Sequence, residues 1–406
     1  MKKSYQIVYL SYDGLSDPLG QSQIIPYVLG LSKLGNFHFT IISFEKEDAY
    51  KDRKIQIQEN LLKANIKWVP NMYTKNPPIL ATIYDLWRLE QSIKNVLKER
   101  KIDIIHARGY ISSIVALRFK KKFKIPFIFD MRGWWPDEKL ESGNWDNIIF
   151  KPLYKFFKKA EVKFFKKADK IVSLTNIGKI EILNNKYANS KKIGVIPTCV
   201  DFIHFPKFSF EIRNETRKQL NINSQSTVLI YSGSLGGNYD FNDFVLIFKL
   251  FLDLNPNNIV LIVSKTIKSY ISQQLDKNSL DKSKIRIINS DFNQVYKYLQ
   301  ASDIGLILYQ KSFSSIGRSP TKLGEYWASG LPIVSLKGIG DLESIIEKYP
   351  FGGKLLNEIK RENLKDIFND LSYKVDKRKL RIAAKEYFNI DDGVKFYSNI
   401  YEEIIN

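Results

Sequence analysis

One cysteine, three histidines and three methionines stand among 406 residues. A lone Cys199 excludes a disulfide framework and a cysteine-rich metal centre. No Asp-x-Asp pair occurs, so the sequence offers no such motif for a metal, and no metal ligands are expected. Secretory-leader character is missing at the start, and no apolar run reaches transmembrane length. The expected location is therefore the cytoplasm. Acidic residues are outnumbered, 43 Asp and Glu against 63 Lys and Arg, for a formal charge of +20 at pH 7. That surplus suits an anionic partner: nucleic acid, phospholipid or a phosphorylated small molecule. Nucleic acid is set aside, because no recognised binding motif accompanies the charge. With 44% hydrophobic and 13% aromatic residues the chain is globular, and its length suits two domains with separate cores.

Short β-branched and aromatic runs alternate with helical patterns. "YQIVYLSY", "HFTIISF", "IKWVP", "DIIHAR", "PFIFDMR", "KIVSLT" and "KIGVIP" predict strands in the first half. "TVLIYSGS", "NIVLIVS", "KIRIIN", "DIGLILY" and "PIVSL" repeat the scheme in the second. Amphipathic segments such as "QSQIIPYVLGLSKL" and "ISSIVALRFKKKF" lie between them as helices. Continuous apolar strands separated by helices predict an α/β chain of two doubly wound, Rossmann-like parallel-sheet domains facing across a cleft. Prolines break the periodicity from Pro197 to Pro206 and mark the link. The expected domains are residues 1–197 and 198–385, with residues 386–406 forming a helix that returns to the first.

Such sheets bind ligands at the carboxyl ends of their strands. After the first strand, "SYDGLSDPLGQSQIIPYV" is a loop poor in side chains, with Gly14, Pro18 and Gly20, feeding a helix. It suits a phosphate or sugar near backbone N–H groups, but it is not the dinucleotide fingerprint G-x-G-x-x-G. His106 ends "DIIHAR", and Asp130, Arg132, Trp134 and Trp135 follow "PFIFDMR". Charges and rings at strand ends suit carbohydrate, although a lone histidine held by backbone or a buried Asp130–Arg132 pair would read the same way.

The third segment is "IGRSPTKLGEYWASGLPIVS". Ser319 is a good N-cap and Pro320 fits the first helical position. The helix start would hold an anion, with Arg318 and Lys322 as added cations. Glu325 lies roughly 7–8 Å further along. A diphosphate at the start puts its ribose there, where a buried carboxylate accepts bonds from two vicinal hydroxyls. Gly324 would leave room for the ligand.

"SPTKLGEYWASGLPIVS" resembles the donor-site motif of GT-B glycosyltransferases of glycosyltransferase family 4. The likeness runs on through "DGLSDPLGQSQIIPYV", "DIIHARGY", "FDMRG", "ADKIVSLTNIGKIEIL" and "IGVIPTCVD", covering most of the chain. The resemblance implies retaining, metal-independent transfer from a nucleotide-diphosphate sugar, a UDP-sugar first among them, with no further cofactor. Glu325 matches the ribose-binding glutamate. Lys322 and the backbone of Ser319, Pro320 and Thr321 fall at the diphosphate. His106 matches the histidine near the donor sugar, and Gly20 the loop glycine beneath the leaving phosphates. Asp13, Asp130, Arg132 and Trp134 fall on the acceptor side. Two positions depart from the pattern. Gly317 stands where a second glutamate is frequent, eight residues before Glu325. "YSGSLGGNYDF" lacks the usual arginine and lysine, leaving the backbone of Ser234, Gly236 and Gly237. Arg318 and Lys322 are expected to supply the missing charge, and with His106 they form the catalytic set.

"FKPLYKFFKKAEVKFFKKADK" places Phe150, Leu153, Phe157, Ala160 and Phe164 on one helical face and lysines on the other. Its apolar face is expected to pack on the sheet, while the lysines of residues 150–167 meet an anionic membrane. The expected acceptor is then a glycan or lipid-linked glycan at the inner face of the membrane, in bacterial surface polysaccharide assembly. Two other readings keep the same fold: a nucleotide-sugar epimerase, and a non-catalytic partner subunit.

Overall fold

Thirteen strands build two wholly parallel sheets, one in each of two units, in a computed structural model that describes residues 4–235, 241–373 and 375–406. Unit 1 comprises Met1–Pro197 together with Ile390–Asn406, and unit 2 is Thr198–Asn389. In unit 1 the strands are β1 (Tyr5–Ser11), β2 (Phe37–Glu45), β3 (Lys67–Met72), β4 (Ile104–Arg108), β5 (Phe127–Asp130), β6 (Lys170–Ser173) and β7 (Ile193–Val195). Their order is β3-β2-β1-β4-β5-β6-β7. Unit 2 has β8 (Val228–Ser232), β9 (Ile259–Val263), β10 (Ile285–Ile288), β11 (Ile304–Ile307), β12 (Ile333–Leu336) and β13 (Gly353–Leu356), in the order β10-β9-β8-β11-β12-β13. Strand order reverses beside β1 and beside β8. These are the switch points where the loops after neighbouring strands part to opposite faces and leave a crevice.

The central strands are buried along their whole length, β4, β5, β8 and β11 among them, which is why their sequences show no polar alternation. Twelve strands lie at the runs read from the sequence. The thirteenth, β13, comes from "GKLL", too short and too glycine-marked to stand out. A side chain at Gly353 would sit 2.4 Å from the Ile333 carbonyl oxygen, so glycine is what lets this strand close on β12. The segment read as one helix over residues 21–34 is two, Pro18–Gln23 and Ile25–Ser32, broken at Ile24. Pro26 has no N–H to continue the first into the second. Helix Glu47–Lys63 went unread because it buries only Ile57 and Leu61.

Helix Ile390–Ile405 closes unit 1 by packing on helix Ile25–Ser32, where Gly30 lies under Val394. In unit 2, helix Lys377–Phe388 packs on helix Thr321–Ala328. Backbone N–H of Val200 donates to Phe388 O at 2.7 Å, so the two ends of unit 2 are paired beside its boundary. Among the described residues no helix is long and apolar enough to cross a membrane.

Candidate functional site

Unit 2 gathers its chemistry where β8 and β11 end beside helix Thr321–Ala328. After β8 the chain turns through Gly233 at φ +144°, a conformation that a side chain would strain. A Cβ there would also lie 2.7 Å from Lys322 Cε and 2.9 Å from its Nζ. The lysine therefore lies across the bare turn. Its ammonium stands 5.1 Å from the centre of the Tyr231 ring and 5.6 Å from that of Tyr309. Tyr309 also carries the Arg318 guanidinium at 5.0 Å. One ring thus bears two cations, which it attracts through its π face. The result is a fixed positive spot at the start of the helix.

That helix begins at Thr321, with Pro320 in the capping position and no side-chain cap. Ser319 is not the N-cap expected from the sequence. Its hydroxyl accepts from the Thr198 N–H at 3.1 Å and its carbonyl from the Thr198 hydroxyl at 2.8 Å, because the chain entering unit 2 runs alongside. The side chain that would have capped the helix is used elsewhere, and the positive end of the dipole is left for another acceptor. Tyr326 anchors the helix by accepting from Ser232 N–H at 2.9 Å, and Trp327 by donating to Gly352 O at 2.8 Å.

Glu325 lies one turn in, about 6 Å along the axis from Thr321. Its carboxylate reaches the surface yet sits among apolar atoms, and no hydrogen bond or ion pair engages it among the described residues. Burial pushes its pKa up to about 7, with Lys322 opposing the shift. Gly324 does not leave room for a ligand as expected. A Cβ there would be 2.5 Å from Val200 Cγ2 and 3.1 Å from Phe388 Cγ, so its bare face serves helix packing. Ser234 is exposed, its carbonyl accepting from Tyr231 Oη at 2.7 Å. Gly236 and Gly237 lie outside the described residues.

Unit 1 builds a second constellation at the carboxyl ends of β1, β4 and β5. Register sets Arg108 beside Ser11 on one side and Asp130 on the other. His106, two residues back, shares that face. Asp130 Oδ2 receives Tyr397 Oη at 3.1 Å and lies 3.4 Å from His106 Nε2, while Oδ1 is 3.7 Å from Arg132. Burial alone would raise the Asp130 carboxyl, but Arg132, His106 and Arg108 reverse this and hold it at about 2. His106 is shifted below its ordinary value by burial, against the pull of Asp130. A neutral ring accounts for both contacts: Nε2–H donates to the carboxylate, and Nδ1 accepts from Tyr401 Oη at 2.7 Å. Only 1% exposed, His106 holds Asp130 and the C-terminal helix in place.

Arg108 was missed in the sequence. It is 5% exposed, lies 3.6 Å from the exposed Asp13 and 3.9 Å from Asp130, and its Nε and Nη1 have no hydrogen-bond partner among the described residues. Arg132 occupies φ +56°, beside Gly133 at +112°. A non-glycine residue so placed is strained, and the strain turns its guanidinium back toward Asp130 and Gln23. Trp134 is buried between Phe165 and the Lys158 ammonium. Its ring covers core atoms.

The glycine loop after β1 is tied down by Glu45, a second residue the sequence reading missed. Its buried carboxylate accepts from Leu15 N–H at 2.8 Å, Ser16 N–H at 3.0 Å and the hydroxyls of Ser16 and Ser43 at 2.5 Å. Gly20 sits where a Cβ would be 2.2 Å from Gly14 O, so the loop folds back on the first turn of its own helix. The signal was present: "ISFEKE" puts a carboxylate at the end of an otherwise apolar strand.

Residues 28–202 match the family model described as Glycosyltransferase Family 4. No curated protein matches the sequence significantly. Solved structures that share the fold include a glycosyltransferase from Rickettsia africae ESF-5, at TM-score 0.68 and 17% identity over 99% of each chain. Anabaena Alr3699/HepE, solved in complex with UDP-glucose, superposes at TM-score 0.67 and 12% identity over 98% of this chain and 99% of its own. WaaG, a glycosyltransferase involved in lipopolysaccharide biosynthesis, gives TM-score 0.60 and 13% identity over 97% and 95%. The chain therefore has the two-domain GT-B fold of glycosyltransferases throughout and resembles their family 4, whose model it matches over residues 28–202.

Proposed function

We propose that this protein is a retaining glycosyltransferase that moves a sugar from a nucleoside-diphosphate sugar to a hydroxyl of a glycan or lipid-linked glycan. One observation carries the reading. The Glu325 carboxylate, with no hydrogen bond or ion pair among the described residues, stands one turn beyond a helix start that has no side-chain cap and is flanked by Lys322 and Arg318. That spacing fits a diphosphate at the N–H groups of the helix and its ribose hydroxyls on the carboxylate. Anabaena Alr3699/HepE, solved with UDP-glucose, makes uridine the first base to try. A lipopolysaccharide role of WaaG points the same way for the acceptor, toward surface polysaccharide assembly.

In the proposed reaction the bond from the anomeric carbon to the diphosphate oxygen breaks as the acceptor oxygen bonds to that carbon from the same face. The acceptor proton passes to the departing phosphate oxygen, so no protein base is consumed. Lys322, Arg318 and the helix dipole stabilise the charge that develops on the leaving group. Ser319, Pro320, Thr321 and Ser234 line the donor side with backbone. In unit 1, Gly20 and the Glu45-held loop, Asp13, Arg108, Asp130 and Arg132 orient the acceptor and sugar, with His106 fixing Asp130.

Calorimetry with UDP, GDP, ADP and dTDP, in the presence of chelator, tests the donor assignment. One diphosphate should bind the wild type, and Glu325→Ala should weaken it about tenfold or more, as expected when two charge-assisted hydrogen bonds are lost. Absence of binding by all four would overturn the reading. Anomeric configuration of the product, read by proton NMR coupling, tests retention.

A further inference from the structure

Helix Pro78–Glu99 turns an apolar stripe to solvent. Ile79, Leu80, Ile83, Tyr84 and Trp87 are all large, all between 43% and 64% exposed, and recur at helical spacing. Tyr84 and Trp87 stack with centroids 5.8 Å apart, fixing the far end of the stripe. The opposite face of the helix, with Ala81, Asp85, Leu89, Ile93 and Val96, is what unit 1 buries. Met72 and Tyr73, at and just beyond the end of β3, extend the exposed surface. Charge is nearly absent here. Over residues 72–87 there are only Lys75, which is exposed, and Asp85, which is buried and paired with Arg88. Apolar surface of this extent needs an explanation.

Its neighbours supply one. Helix Pro78–Glu99 packs on helix Gly109–Phe123, which packs on helix Lys151–Lys167, so the three form one layer on one face of the sheet. Each runs back from the carboxyl edge of the parallel sheet, so the stripe and the start of the lysine helix lie at the same edge, roughly 20 Å apart at about 10 Å per helix. That start repeats the composition: Ile148, Ile149 and Phe156 are exposed among exposed Lys151, Lys155 and Lys159.

We infer that this layer of unit 1 is a bilayer-docking surface, with the stripe inserted among acyl chains and the lysines against anionic headgroups. Tyr and Trp at the water boundary and lysines beside apolar side chains are what such an interface selects. Charge complementarity favours this occupant over a second copy of the chain, since pairing two such layers would bring their lysines together. The surface gives the proposed lipid-linked acceptor its location and rests on that reading for its purpose, though binding itself does not.

Co-sedimentation of the full chain with phosphatidylcholine vesicles, with and without phosphatidylglycerol, tests it. Wild type should bind the phosphatidylglycerol vesicles and release in high salt. Leu80→Glu with Trp87→Glu should reduce binding about tenfold or more although every lysine is kept, and Lys151→Gln with Lys155→Gln should reduce it although the stripe is kept. Thermal unfolding and UDP calorimetry of each variant should match wild type, so a failed surface is distinguishable from a failed donor site. Vesicle binding unchanged by the stripe variant would overturn the inference. So would no binding to either vesicle, or a wild-type dimer that the stripe variant converts to monomer in sedimentation velocity.

Discussion

Glu325 has a proton to lose near neutrality, and the sign of its effects follows. Its folded pKa, about 7, is above the ordinary 4.5, so the folded state binds the proton more tightly. Stability therefore falls as pH rises from 4.5 to 7, and the penalty is complete above that. Glu325→Gln removes the penalty, so its melting temperature should gain on wild type as pH goes from 5 to 8. Ribose hydroxyls favour the ionised form. Nucleotide affinity should rise over the same range, with a proton released, seen as a binding enthalpy at pH 6.5 that varies with the buffer. Asp130 behaves oppositely. Held at about 2 against an ordinary 3.8, it contributes stability above 3.8 that is lost as pH falls toward 2. Asp130→Asn takes from the buried Arg132 the carboxylate beside it and leaves Arg108 only Asp13, and should cost about 3 kcal/mol in chemical denaturation of unit 1. The residues of unit 2 were legible because Arg318, Lys322 and Glu325 are close in sequence. Tyr231, Tyr309 and Gly233 were not, because Tyr231 and Gly233 come from the end of β8 and Tyr309 from beyond β11, and only the sheet brings these two strand ends to Lys322.

Elements carry the geometry that these residues need. The loop after β1 keeps its shape by three bonds to Glu45, from Leu15 N–H and from the N–H and hydroxyl of Ser16, and by the absence of a side chain at Gly20. Gly20→Ala places a methyl against the Gly14 carbonyl, whose backbone cannot yield cheaply. Transfer activity should drop by at least about tenfold, with nucleotide binding to unit 2 retained in calorimetry. Tyr397→Phe and Tyr401→Phe each remove one bond that fixes the C-terminal helix, and each should cost about 1 kcal/mol. Hydrogen exchange should show that helix opening first. Strand pattern was legible because buried parallel strands are near-continuous in Val, Ile, Leu and Phe. Helix boundaries were less so, since the break at Ile24 depends on one missing N–H and the start at Thr321 on a serine drawn away by Thr198.

At the scale of the whole molecule, unit 2 is an uninterrupted stretch and unit 1 is not. The isolated segment Thr198–Asn389 should fold and bind the nucleotide, whereas a chain ending at Asn389 should keep unit 2 and lose most of the stability of unit 1. Calorimetric melting would show this as one transition preserved and the other lowered or absent. Two doubly wound parallel-sheet domains could be read from the alternation of strands and helices, and GT-B from the resemblance of the motifs, but Glu45 and Arg108 could not be assigned their work without the sheet order. The paired ends of unit 2 at Val200 and Phe388 have a consequence for synthesis. Domains fold as units while the ribosome is still adding residues. Unit 2 can close once its own last helix has emerged, whereas the Tyr27, His106 and Asp130 surface waits for Tyr397 and Tyr401, which follow it in the chain. The half that is translated first is completed last, and an arrested or truncated nascent chain would expose that aromatic face to chaperones.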